Sequence, residues 1–319
     1  VALAVPPPPV EGTVTLSDGR RLGFAEYGDP EGRPVFWFHG TPGARRQVPL
    51  EARRVAAERG VRLIAVERPG VGASTPHTYE RISEWAADIA EVADRLGVDR
   101  FAAVGLSGGG PYVLACAHHL PERMVAGGVL GGVAPTRGPE AIGGGLVQLA
   151  TWTRNLLRPL REPFGHGLWL LVQALRPFAD QVFSAYVRIQ PEGDKAVFNT
   201  PGMREMFIDD LLHGASRRFR AFVYDAVLFT RHWGFHVADI RVPIHFWHGD
   251  ADPIVPLEHG RHLAQLVPHA ELRVRPGESH LGGLGAAEEV LDTLLAHWDD
   301  AGDGSDGGDR CAVDAGGRR

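Results

Sequence analysis

Gly105-Leu106-Ser107-Gly108-Gly109 places one hydroxyl among glycines at the spacing Gly-x-Ser-x-Gly, and the chemistry that spacing would serve is nucleophilic attack. Between a strand and a helix, such a run makes a tight turn that holds the serine in a strained backbone conformation. The glycines remove side chains that would collide with the neighbouring strand and helix. The hydroxyl is then left at a helix N-terminus, where backbone N–H groups favour developing negative charge. A plain glycine-rich turn has the same letters, so the context of strand, turn and helix selects the nucleophile reading.

A serine hydroxyl is a poor nucleophile at neutral pH and needs a positioned base. Fifteen histidines compete for that position. His280 stands in Pro276-Gly277-Glu278-Ser279-His280-Leu281, a loop after the last expected strand and at the same strand-end face as Ser107. Its plainer alternative is a loop histidine making one structural hydrogen bond. The base in turn needs an acid to fix its tautomer. His248-Gly249-Asp250-Ala251-Asp252-Pro253 offers two carboxylates. Asp252, beyond the turn and before a rigid proline, suits the task better, whereas Asp250 suits a turn that bonds its own backbone. The chain order is then Ser107, Asp252, His280. A fourth segment, His39-Gly40-Thr41-Pro42-Gly43, follows a short strand and can aim a backbone N–H at a developing oxyanion. Thr41 would supply one donor and Gly108 the other. Gly105, Gly109, Gly40 and His39 would support the turn and the loop, with His39 bracing rather than handling protons.

The elements that must position these groups are legible as an alternation of strand and helix. Residues 13–16 and 22–27 flank Ser17-Asp18-Gly19-Arg20 and read as a β-hairpin. Strands are expected at 34–38, 62–66, 101–106, 125–133, 244–247 and 272–274. Helices are expected at 48–59, 82–96, 111–119, 258–266 and 287–298. The clearest is 82–96, whose Ile82, Trp85, Ile89, Val92 and Leu96 share one face. Repeated alternation implies an α/β fold, a mostly parallel sheet flanked by helices. The alternation fails between residues 135 and 239, where helical patterns run without strands. That stretch is expected to be a helical cap, set into a core of residues 12–134 and 240–299. Its aromatics Trp152, Phe164, Trp169, Phe178, Phe183 and Trp233 are expected to pack the cap onto the core.

The chain has 319 residues, a net charge of −6 and a sequence pI near 6.2, which argues against a nucleic-acid binder. Arg217, Arg218 and Arg220 read as a solvated helix face. Cys116 in an apolar helix and Cys311 in a Gly/Asp-rich tail are not expected to pair. The first residues lack a positive n-region, and no stretch reaches the ~20 apolar residues of a membrane span, so membrane insertion is not expected and a cytoplasmic protein is. Residues 1–11 and 300–319 are expected to be disordered.

With these segments in hand, the chain resembles the α/β-hydrolase superfamily in its cap-bearing branch, over about residues 13–298. Glu67-Arg68-Pro69-Gly70-Val71-Gly72-Ala73-Ser74 is similar to that branch's Asp-Arg-Pro-Gly-x-Gly-x-Ser loop, with glutamate in place of the usual aspartate. The resemblance implies hydrolysis of a small-molecule substrate through an acyl-enzyme, with no cofactor. Serine at the elbow disfavours epoxide hydrolase and haloalkane dehalogenase chemistry, whose nucleophile is aspartate. Gly108 stands where prolyl iminopeptidases carry tryptophan. A small, partly hydrophobic ester is the expected substrate; an amide or prolyl peptide, a lactone or a carbon–carbon bond are alternatives, and a slow-turnover ligand sensor is a rival of another class. Gly70-Val71-Gly72 fails as a dinucleotide fingerprint because Thr75 stands where its last glycine belongs. His259 and His262 lack a third ligand nearby and read as solvent-exposed histidines rather than a metal site.

Overall fold

A computed structural model describes residues 5–214 and 220–303. Arg217, Arg218 and Cys311 lie outside the described residues, as does the tail from 304.

Eight strands form one sheet: β1 (Val10–Thr15), β2 (Arg21–Gly28), β3 (Arg33–Phe38), β4 (Val61–Val66), β5 (Phe101–Leu106), β6 (Met124–Leu130), β7 (Ile244–Gly249) and β8 (Ala270–Arg275). Their spatial order is β1-β2-β4-β3-β5-β6-β7-β8. The first two strands join antiparallel, and every pair from β4–β3 to β7–β8 is parallel. The chain steps from β3 outward to β4, then crosses back to β5 on the other side of β3. Strand order therefore reverses between β3 and β5, and a crevice opens outside their carboxyl ends.

The inner strands β5 and β6 are buried on both sides, as their unbroken apolar runs require, whereas the edge strand β8 is partly exposed. One face is covered by α2 (Glu84–Arg95), α3 (Gly110–His119) and α9 (Leu257–Leu266), and the other by α1 (Leu50–Glu58) and α10 (Ala287–Asp303). Helix α2 buries the predicted stripe, with Trp85, Ile89 and Val92 fully enclosed. Each such side chain stabilises the fold by about 1.5–3 kcal/mol relative to exposure. Arg62, Leu96 and Glu26 close the rim beneath, where the Arg62 guanidinium donates to Leu96 O and to both Glu26 oxygens.

Between β6 and β7 the chain inserts α4 (Gly145–Leu175), α5 (Ala179–Arg188), α6 (Glu192–Phe198), α7 (Met203–Gly214) and α8 (Arg220–Phe229). Phe183, Phe198 and Phe207 gather there, with Phe183 edge-on to Phe198 at 5.2 Å between centroids.

Four expectations need correction. The first eleven residues do not all lie loose: Val10 and Glu11 belong to β1, and Glu11 accepts hydrogen bonds from Arg45 and Arg46. Helix α10 continues to Asp303, past the expected start of the disordered tail. Of the six aromatics expected to fasten the insertion, Trp152 is 74% exposed, and Phe164 and Phe178 are also exposed. Trp233 is buried in the core beside Phe235 rather than in the insertion, because the chain has returned to the sheet by that point. Finally, His259 is not solvent-exposed. It is fully buried, its Nδ1 accepts the Ala134 N–H, and burial lowers its pKa to about 4. His262 is half-buried and donates from Nε2 to Glu140 O. The two rings are engaged by different partners.

Candidate active site

Ser107 follows β5 directly and has φ 51°, the one positive φ outside glycine among the described residues. That left-handed conformation costs about 1–2 kcal/mol in an L-residue. The surroundings leave no other path. A Cβ on Gly105 would meet Gly109 O at 2.5 Å, and one on Gly109 would meet Phe38 O at 2.2 Å. Three backbone segments are thus packed against each other under the serine, and α3 begins just beyond it.

Ser107 Oγ donates to His280 Nε2 at 2.6 Å, and His280 Nδ1 donates to Asp252 Oδ2 at 2.7 Å. All three residues are buried. Ser107 follows β5, Asp252 follows β7 and His280 follows β8, so the parallel register brings three distant segments to one edge of the sheet. The other oxygen of Asp252 accepts the Ile254 and Val255 N–H groups at 2.8 and 2.9 Å. Burial alone would raise the pKa of this carboxyl, but His248, His280 and those backbone donors outweigh it and hold it well below the usual range. His248 Nε2 lies 3.6 Å from Asp252 Oδ2, while its hydrogen bond goes to Val255 O at 2.7 Å. Asp250 does not bond its own backbone, as the turn reading expected; it reaches across to the loop after β8. Its Oδ1 accepts the Gly277 N–H and shapes the turn that leads to His280.

The loop after β3 is held from all sides. His39 is buried, donates from Nδ1 to Gly40 O and accepts the Arg68 N–H at Nε2, which fixes one neutral tautomer. Burial, reinforced by the Arg68 charge, pushes its pKa well below the ordinary value. Gly40 N–H donates to Gln47 Oε1. Thr41 reaches Gly108, where an added Cβ would stand 2.5 Å from Thr41 Oγ1. The Glu67 carboxylate accepts from Arg45 and from Ala73 N–H, and its extra methylene fits because Gly23 and Gly72 leave it room.

A cavity of about 510 Å³ opens above Ser107. Gly40, Thr41, Leu106 and His280 line its floor. Val172 and Leu175 of α4, Val182 and Phe183 of α5, and Phe207 and Leu211 of α7 line its roof. Its two charged lining residues are Arg176 and Asp210. The buried Asp210 accepts the Ala44 and Arg46 N–H groups, and burial lifts its pKa to about 7.

Several partners of this site carry no local sequence signal. Arg68 bonds Asp225 across 157 positions, and Asp194 bonds the Ser279 N–H across 85. A hint existed for Asp225 alone, the one carboxylate in the apolar run 221–229; Asp194 stands between Glu192 and Lys195 like an ordinary surface residue.

Comparison with known proteins is consistent along the whole core. A family model described as the alpha/beta hydrolase fold matches residues 33–286. A proline iminopeptidase from Neisseria gonorrhoeae is 27% identical over 286 residues, covering 82% of this chain and 88% of that protein. A bifunctional esterase/perhydrolase from Acinetobacter calcoaceticus is 26% identical over 299 residues, covering 89% of this chain and 98% of that protein. Among solved structures, an alpha/beta hydrolase fold protein from Nakamurella multipartita superposes with a TM-score of 0.66 at 23% identity, over 91% of this chain and all of that one. Among the described residues no helix is long and apolar enough to cross a membrane. From sheet order, family match and relatives together, the chain belongs to the alpha/beta hydrolase fold family and is a hydrolase.

Proposed function

We propose that the protein is a cytoplasmic serine hydrolase that cleaves a small, partly hydrophobic carboxylic ester through an acyl-enzyme. Ser107 Oγ attacks the carbonyl carbon while His280 Nε2 takes its proton, and Asp252 holds His280 in the tautomer that can accept it. The backbone N–H groups of Thr41 and Gly108 receive the negative charge that develops on the carbonyl oxygen. Collapse of the tetrahedral intermediate releases the alcohol, protonated by His280. Water, deprotonated by the same histidine, then attacks the acyl carbon and frees the acid. Within residues 135–239, the helices α4 to α8 act as a cap, which roofs the pocket with apolar side chains that suit an acyl chain.

The observation that carries this reading is the unbroken hydrogen-bond chain from Ser107 through His280 to Asp252. It serves ester, amide, lactone and carbon–carbon cleavage alike, and the relatives' names range over proline iminopeptidase, esterase/perhydrolase, non-heme haloperoxidase and 2-hydroxymuconate semialdehyde hydrolase. The ester is favoured by the mostly apolar lining and by Gly108, which departs from the iminopeptidase pattern.

Labelling with a fluorophosphonate, followed by peptide mapping, tests nucleophile activation without a guess at the substrate. An adduct on Ser107 that disappears in His280→Ala supports the mechanism, and a panel of p-nitrophenyl esters, prolyl amides and dienone acids then sorts the bond type. Folded protein that takes no adduct refutes the enzyme reading and favours a sensor, for which a ligand would raise the Tm without turnover.

A further inference from the structure

The inserted helices hold three buried carboxylates among the described residues: Asp194 on α6, Asp210 on α7 and Asp225 on α8. Each grips a core loop that carries a proposed reacting group. Asp194 accepts the Ser279 N–H beside His280, and Asp210 accepts the Ala44 and Arg46 N–H groups beyond Thr41. Asp225 is the most densely bonded. Its Oδ2 accepts Arg68 Nε at 2.8 Å and Thr41 Oγ1 at 3.1 Å, and its Oδ1 accepts the Tyr112 hydroxyl at 2.8 Å.

Arg68 spends its remaining donors on the same loop. Nη1 donates to His39 O at 2.6 Å, and Nη2 donates to Gly40 O and to Thr41 Oγ1, both at 2.8 Å. Its guanidinium also lies over the Tyr112 ring, 4.9 Å from the centroid. Two successive peptide carbonyls and the Thr41 side chain are therefore fixed by one planar cation. That cation is buried and oriented by one carboxylate from α8. Fixing the Gly40 carbonyl fixes the plane of the Gly40–Thr41 peptide, and with it the direction of the Thr41 N–H.

We propose that Asp225 is a positioning residue for the oxyanion hole: acting through Arg68, it aims the Thr41 amide, so that the hole is complete only when α8 is seated on the core. The inference rests on the serine-hydrolase reading above and adds that the insertion builds part of the catalytic geometry as well as roofing the pocket. A misaimed donor weakens the transition state and leaves ground-state binding nearly untouched, because the pocket walls that hold the substrate are other residues.

The test is Asp225→Asn in the full chain, with Tyr112→Phe as a milder second variant that removes one bond to the same carboxylate. Active sites are counted by fluorophosphonate titration carried to completion, so loss of folded protein does not enter kcat. In Asp225→Asn, kcat per titrated site is expected to fall roughly 10- to 100-fold, short of deleting a donor outright. KM should move by less than about threefold, and affinity for a trifluoromethyl ketone should fall by the same factor as kcat. Tyr112→Phe should lose kcat in the same direction by a smaller factor. If Asp225→Asn does not fold, Tyr112→Phe decides alone. Unchanged kcat per site, or a rise in KM at constant kcat, overturns the proposal. Absence of any Ser107 adduct in the unaltered protein defeats the serine reading itself, and is distinguishable from both.

Discussion

Asp252→Asn removes one charge with almost no change of volume, and the structure determines what the amide must do. The Oδ1 side of Asp252 faces two backbone donors, Ile254 N–H and Val255 N–H. An asparagine there must turn its carbonyl oxygen towards them, since its NH2 would meet donors head-on. The NH2 is then forced to face His280 Nδ1, which in the native site donates at 2.7 Å. To accept from it, His280 must move its proton to Nε2, the atom 2.6 Å from Ser107 Oγ. A protonated Nε2 cannot take the serine proton. The expected loss in kcat is on the order of 10⁴-fold, or about 5.5 kcal/mol in the barrier, while KM holds. Hydrolysis of an activated ester, normalised to titrated sites, gives the rate, and ¹⁵N shifts of His280 give the tautomer. Activity within about tenfold of the unaltered protein, with the tautomer inverted, would show that His280 is not the base, and the mechanism would fall.

Asp210 binds a proton in the folded protein that it releases on unfolding near neutral pH, because burial lifts its pKa to about 7. The unfolded chain then holds fewer protons, so stability should decline as pH rises from the ordinary carboxylate range to about 7. Urea melts across that range should show the decline, and Asp210→Asn should flatten it; equal slopes would contradict the assignment. Asp252 has the opposite sign: its depressed pKa adds stability above the ordinary carboxylate range, lost progressively as pH falls below it. Gly109→Ala should cost more stability than Gly108→Ala, since its Cβ would meet Phe38 O, a backbone atom, whereas Gly108's would meet the side chains of Thr41 and Phe229. Gly108→Ala should instead lower kcat in protein that still folds. Trp233→Ala should destabilise by about 3–5 kcal/mol, as large buried deletions do. Trp152→Ala should stay within about 0.5 kcal/mol, because that ring is 74% exposed.

What the sequence made legible was what is local along the chain. The elbow at Ser107, the loop at His39 to Thr41 and the turn at Asp250 each need special backbone within a few residues, so glycine, proline and aspartate mark them. The stripe on α2 and the continuous apolar strands needed only period counting. His280 was reached from its place after the last strand. The same reading failed where burial is decided by distant parts of the chain. His259 looked like a surface histidine because nothing near it in sequence announces that Ala134 N–H needs an acceptor there. Trp152 and Trp233 carry the same side chain and flank the same stretch, yet one faces water and the other fills the core. Glu11 joined the fold through arginines more than thirty residues away.

The three carboxylates of the insertion show why that boundary matters for function. An isolated buried carboxylate is costly, so each needs donors to remain in place. Asp194, Asp210 and Asp225 all find them on core loops, 85, 166 and 157 residues from their own positions at the pairs cited. A helix could more simply dock with apolar contacts, and α7 and α8 have them in Met206 and Phe222. Apolar contacts resist separation but tolerate sliding, whereas a carboxylate against a fork of N–H groups accepts one alignment. The insertion is therefore registered to the loops that carry Thr41 and His280 to within hydrogen-bond tolerance. Sequence change in α4 and α5 can then reshape the pocket roof without disturbing the floor, because the aligning bonds sit on other helices.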